Sequence, residues 1–220
     1  MRAIVVSKFI DNFNADSVKL VPLKDLCRTI TKGTTPTTMG RSFTSSGINY
    51  VKAESITEDH SFDMGKFSHI DEETNKLLKR SIICPNDILF TIAGSLGRFA
   101  FVDSNILPAN TNQAVAIIRA DASKVSPEYL YSLFIGGWHQ EFYNKRVQQA
   151  VQANLSLGTI KTLPIPILIG AEMEEFLQVI TPILSLSKAN EFENERLKDI
   201  RDALLPRLMA GEIDVSAVQL

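Results

Sequence analysis

The side chains that could do chemistry in this 220-residue chain are few and scattered. His60, His69 and His139 have no second histidine three or four residues away, the spacing that sets two imidazoles on one helical face. No metal site is expected. Cys84 follows two isoleucines and Cys27 follows Leu26, with no Cys or His at ligand spacing, which suits buried thiols in a reducing compartment. A metal-dependent nuclease commonly sets a carboxylate two residues before a lysine, and no lysine here has Asp or Glu at that position. The phosphate loops G-x-G-x-x-G and G-x-x-x-x-G-K-[ST] are missing, and so is the G-x-S-x-G nucleophile elbow. No proline sits in the Asp/Asn-Pro-Pro-aromatic strand end of an adenine methyltransferase. Gly94-Ser95-Leu96-Gly97 has the form of an RNA-clamping G-x-x-G, but its strand flanks predict an ordinary hairpin turn. The sequence predicts neither catalysis nor a bound cofactor.

What remains is polar surface on loops. Lys32-Gly33-Thr34-Thr35-Pro36 through Arg41 is rich in hydroxyls and short of carboxylates. Lys52 follows an apolar strand, Ser95 and Arg98 mark a turn, and Asn112-Gln113 pairs two amides.

The elements that must hold these loops are mixed. Asp87–Ala93 and Arg98–Val102 read as a hairpin, Gln113–Ile118 as a third strand, and Asn49–Val51 as a fourth. Ser126-Pro127 starts a helix running to about Lys145, interrupted at Gly136-Gly137, and a short helix follows Asp71. Tyr129, Tyr131, Phe134, Trp138 and Phe142 recur at helical spacing and are expected in the core. Strands outnumber β-α-β units, so the fold class is α+β. The organisation expected is a globular domain over 1–163, a Pro-rich connector over 164–171 and a long helical region over 172–220.

The tail is the clearest element. From Glu172 to Met209 there is no glycine, and Gly211 follows as a stop. Phe176, Val179, Ile183, Leu186, Asn190, Leu197, Ile200 and Leu204 fall on one heptad seam, which predicts a helix built to meet another helix. Pro182 is expected to kink it. Net charge is −2, yet 18 basic against 15 acidic side chains lie through residue 165, and 5 against 10 follow. A mildly basic body therefore carries an acidic tail, and charge alone leaves nucleic-acid binding open. The apolar run Met1–Val6 is too short for a signal peptide and no apolar run is long enough to span a membrane, so a cytoplasmic protein is expected.

Several strings then fall into a known order. They are Val21-Pro22-Leu23-Lys24-Asp25-Leu26, Lys32-Gly33-Thr34-Thr35-Pro36, Ile48-Asn49-Tyr50-Val51-Lys52, Asn86 through Gly97, and Asn112-Gln113-Ala114-Val115. Asn154-Leu155-Ser156 leads into Leu163-Pro164-Ile165-Pro166, and the tail ends Leu204-Leu205-Pro206-Arg207-Leu208-Met209-Ala210-Gly211-Glu212-Ile213. Over about residues 19–213 the chain resembles the specificity subunit of type I restriction–modification systems. Where that family continues the proline connector into a Glu-Gln pair, this chain has Gly170-Ala171-Glu172-Met173.

The resemblance implies a target recognition domain that reads part of a DNA sequence, joined to a helical spacer. The complete subunit usually carries two such units, and this chain carries one. Its partners would be double-stranded DNA, the modification (methyltransferase) subunit and, through that assembly, the restriction subunit. S-adenosylmethionine and ATP would belong to those partners. A second copy would supply the missing helix, giving an antiparallel homodimer on an interrupted inverted repeat, with Asn190 near the two-fold axis. Alternatively, Asn190 faces solvent.

DNA contacts would come from Lys32, Thr34, Thr35 and Arg41 in the hydroxyl-rich loop, and from Lys52, Ser95, Arg98, Asn112 and Gln113. Each has a plainer reading: a solvated turn for the loop, a solvated lysine at Lys52, a carboxylate partner for Arg98, strand capping for Asn112-Gln113. The competing function is a protein-interaction module dimerised by its helix.

Overall fold

The computed structural model describes residues 18–147, 154–168 and 170–212. The amino-terminal run Met1–Val6, Ile169 and the residues after Glu212 lie outside them. The chain forms two compact units, Met1–Ile180 and Thr181–Leu220.

The first unit is layered α+β. One four-stranded antiparallel sheet has the order β2 (Cys27–Lys32), β9 (Val115–Ala120), β6 (Ile88–Thr91), β7 (Phe99–Phe101). A second sheet has the order β4 (Ser68–Ile70), β3 (Ile48–Val51), β8 (Ala109–Thr111), β5 (Ile82–Ile83), with β3 and β8 parallel. The strand at Asn49–Val51 thus joins a different sheet from the hairpin. Leu89, Ala100, Val115 and Ile117 of the first sheet share one apolar cluster with Val51, Ile83 and Ala109 of the second. Because strand side chains alternate faces, Phe90 and Phe99 point the other way. There Phe90 meets Phe134 and Tyr143, and Phe99 meets Tyr131.

Those rings come from α3 (Pro127–Ile135) and α4 (Trp138–Val147). Ser126 caps α3 by accepting from the Glu128 and Tyr129 amides, and the helix stops at Gly136-Gly137 as the sequence predicts. Tyr129, Tyr131 and Phe134 are buried, while Trp138 and Phe142 are half-buried. The smaller helices are α1 (Leu23–Leu26), α2 (Glu72–Leu77, capped by Asp71) and α5 (Leu157–Lys161).

The Pro-rich segment expected as a connector is a strand inside the first unit. β10 (Pro164–Ile167) pairs antiparallel with β1 (Lys19–Pro22). Its prolines lack N–H groups, but their carbonyls accept from Trp138 Nε1 and the Tyr129 hydroxyl, each at 2.7 Å. Alternating prolines therefore sit in a two-stranded sheet, where Ile165 and Ile167 keep their amides. The unit boundary falls later, after Ile180.

α6 (Ala171–Met209) is one helix of 39 residues, about 58 Å long. It runs through Pro182 and Pro206. Its first turns belong to the first unit. Phe176, placed on the seam by the heptad, is buried there with its ring 5.2 Å from Tyr129, so this position serves the core. In the second unit Leu186, Leu197, Ile200 and Leu204 are exposed, Asn190 is exposed, and Ile183 is half-buried. The helix ends in a Schellman motif at Gly211, with the Gly211 amide on Leu208 O and the Glu212 amide on Arg207 O. No described helix is long and apolar enough to cross a membrane.

Candidate nucleic-acid interface

The topology gathers most of the expected site residues at one edge. Lys32 ends β2 opposite Ala116, and Thr91 ends β6 opposite Val115. In the facing sheet Val51 ends β3 beside Thr111 of β8. Lys32, the β6–β7 turn, Lys52 and Asn112-Gln113 therefore leave the strands at the edge where both sheets stop.

Close packing there requires Gly33. Its amide donates to Asn112 O at 3.0 Å, and a Cβ at this position would fall 1.7 Å from the Thr111 carbonyl oxygen. Three side chains then pin the next two residues. The buried Tyr50 hydroxyl donates to Thr34 O at 2.9 Å, Arg80 donates to the Thr34 hydroxyl at 3.3 Å, and the Thr35 hydroxyl donates to the Gln113 amide oxygen. Burial pushes the Tyr50 hydroxyl far up, so it stays protonated and keeps donating. The loop is thus fixed by strands β3 and β8 and by the turn at 79–81. Such a preset loop can present hydroxyls and amides without losing further entropy on binding.

The turn between β6 and β7 is tied as firmly. The Thr91 hydroxyl donates to Ser95 O and accepts the Arg98 amide at 2.8 Å. Arg98 donates to Ile56 O at 3.2 Å and to Glu58 at 2.7 Å, which is the carboxylate-paired arrangement. Lys52 lies 3.1 Å from Glu54, and Arg41 lies 3.3 Å from Glu73 of α2, at the outer side of the loop. Asn112 accepts the Ala114 amide at 3.0 Å, as a residue capping a strand start does, while Gln113 remains exposed.

Among the described residues no group of three or more His, Cys, Asp or Glu is placed to hold a metal ion. His139 is packed among Phe90, Phe99, Phe134 and Tyr143, and burial with His60 nearby lowers it to about 4. Burial lifts the Cys27 thiol to about 12, so it is a poor nucleophile. Cys27 and Cys84 are both half-buried free thiols.

Against this geometry, the chain matches the type I restriction modification DNA specificity domain over residues 16–201. It belongs to that family. This specificity domain is 25% identical over 178 residues to the type I restriction enzyme EcoBI specificity subunit of Escherichia coli, covering 76% of this chain and 36% of that subunit. It is 34% identical over 108 residues to the HindI specificity subunit of Haemophilus influenzae, covering 48% and 23%. Its fold resembles the type I system S subunit from M. genitalium, with a TM-score of 0.64 at 14% identity. The HsdS subunit from Thermoanaerobacter tengcongensis gives 0.57 at 16%. Each of these two comparisons covers 94% of this chain and 52% of the other. The chain thus spans about half of those structures, and less of the curated relatives.

Reasoning from sequence overlooked two members of this edge in the specificity domain. Tyr50 read only as part of the strand Asn49–Val51, and nothing in its local sequence shows that its hydroxyl reaches Thr34. Arg80 lies in the Lys79-Arg80 doublet, a basic pair with no neighbouring carboxylate, and that doublet was the available signal.

Proposed function

We propose that this specificity domain is the DNA-reading, non-catalytic part of a type I restriction–modification complex. The edge where both sheets stop would face duplex DNA, with Lys32, Thr34, Thr35, Lys52, Ser95, Arg98, Asn112 and Gln113 at or beside the contact and Arg41 at its margin. The observation that carries the reading is the family match over residues 16–201 on a chain whose expected contact residues converge. Lys and Arg suit phosphate contact, while Thr, Asn and Gln suit base edges.

The exposed seam of Leu186, Leu197, Ile200 and Leu204 supports a second, finer part of the proposal. Two copies pair antiparallel through this face, with Asn190 near the axis, and read an interrupted inverted repeat. The modification subunit docks on this frame and supplies methyl transfer, and the restriction subunit joins through it. A different reading, a protein-interaction module, draws on the carboxylates that meet Arg41, Lys52 and Arg98.

Titrating the chain, alone and with its modification subunit, onto duplex DNA over a salt series separates the two. DNA reading requires affinity that falls steeply with salt, whereas absence of binding in both mixtures favours the protein-interaction module. Sedimentation of the chain tests the pairing, for which a monomer at all concentrations would be fatal.

A further inference from the structure

We propose that Arg80, which the chain carries far from the hydroxyl-rich loop in sequence, is a phosphate-contacting residue of that loop's surface. This rests on the DNA-reading function proposed above and adds a contact to it. Arg80 stands in the turn Lys79–Ser81, just after α2, and its Nη2 donates to the Thr34 hydroxyl across 46 positions.

Two features favour Arg80 over Arg41, Lys52 and Arg98, three of the four cations chosen from sequence, and set it beside Lys32. The first is its state of pairing. Arg41, Lys52 and Arg98 each meet a carboxylate, whereas Arg80 meets only a hydroxyl among the described residues. A phosphate approaching Arg98 must compete with Glu58 and with the Ile56 carbonyl. At Arg80 it displaces nothing charged, and four of the five guanidinium N–H donors stay available for a forked contact.

The second is the mounting. Ser81, the next residue, is buried and donates to Asn110 Oδ1 at 2.7 Å, and Asn110 donates in turn to Asn75 and to Leu78 O. This buried network fastens the turn to β8, the strand that runs on into Asn112-Gln113. Arg80 is therefore held on the same rigid frame as the loop, with Thr34 steering its guanidinium.

The test is the salt dependence of binding by the full chain to a mixed-sequence duplex, read by fluorescence anisotropy. A single phosphate contact contributes about 0.9 to the slope of log affinity against log salt. Arg80→Ala should flatten the slope by about that amount and weaken all duplexes by one common factor. Arg80→Lys should keep the slope and lose only part of the affinity. Arg28→Ala removes an exposed arginine at the opposite end of β2 and should leave the slope unchanged. A wild-type slope in Arg80→Ala, with a wild-type melting curve, would overturn the assignment. Loss confined to particular sequences would overturn it as well, because that marks a base contact. If the wild-type chain and its modification subunit together bind no duplex, the DNA-reading function itself fails, which is a separate result.

Discussion

Replacing Gly33 by alanine tests how the candidate interface is built. The added Cβ would lie 1.7 Å from Thr111 O, 2.4 Å from its carbonyl carbon and 2.9 Å from the Asn112 amide nitrogen, all backbone atoms. Ordinary contact begins near 3.4 Å, so the two segments must separate by about 1.7 Å at the closest point. The Gly33–Asn112 hydrogen bond at 3.0 Å cannot survive that movement. Losing it costs about 1 kcal/mol, and the forced backbone shift costs about 2 kcal/mol more. For a protein of this size, a total near 3 kcal/mol lowers the melting temperature by roughly 6–12 °C. Trp138 is the single tryptophan, and its indole is bonded to Pro164, so its fluorescence follows the first unit directly. Gly40→Ala supplies the contrast. Gly40 has φ +70° and open space around its Cβ position, so only the left-handed backbone penalty of about 1 kcal/mol applies. A Gly33→Ala melting temperature equal to that of Gly40→Ala would refute the close approach, and with it the pinned loop.

Three further outcomes are expected. Asp87 is fully buried and forked to Arg119 at 2.7 Å on both arms; burial pushes its carboxyl up while the guanidinium and the Cys84 amide oppose. Arg119→Met strands that carboxylate and should cost about 3–5 kcal/mol by urea denaturation, and a loss under 1 kcal/mol would count against the buried pair. His139 is held at about 4, below its ordinary 6.5, so its neutral form stabilises the fold above pH 6.5 and that stability is lost as pH falls towards 4. The loss is about 3 kcal/mol, and His139→Phe should remove this part of the acid sensitivity when the two proteins are unfolded side by side from pH 7 to 4. Replacing both Leu197 and Ile200 by Ser should shift sedimentation from dimer to monomer without moving the Trp138 melting curve, and an unchanged dimer would place the pairing elsewhere.

How much of this could be read from sequence varied with the range of the forces involved. The hairpin, the Ser126-Pro127 helix start and the Glu172–Met209 helix were legible because caps, turn residues and apolar spacing act locally. The α+β class followed from their mixture. The sheet to which Asn49–Val51 belongs was not legible, because strand pairing is decided by contacts distant in sequence. The Pro-rich segment read as a connector because X-Pro backbone is stiff and extended, and its pairing with Lys19–Pro22 depends on contacts far away in sequence. At the interface, residue types were legible and their company was not. Sequence could name Arg98 but could not place Glu58 beside it, and it could not bring Arg80 to Thr34.

In the proposed function, two copies of this chain read DNA as a symmetric pair. Sequencing that detects methylated adenines across the genome of cells carrying this gene and its neighbouring subunits tests it most directly. Methylation should appear on an interrupted inverted repeat and vanish when the gene is deleted. A two-part motif with unlike halves, or a methylation pattern indifferent to the deletion, would contradict it.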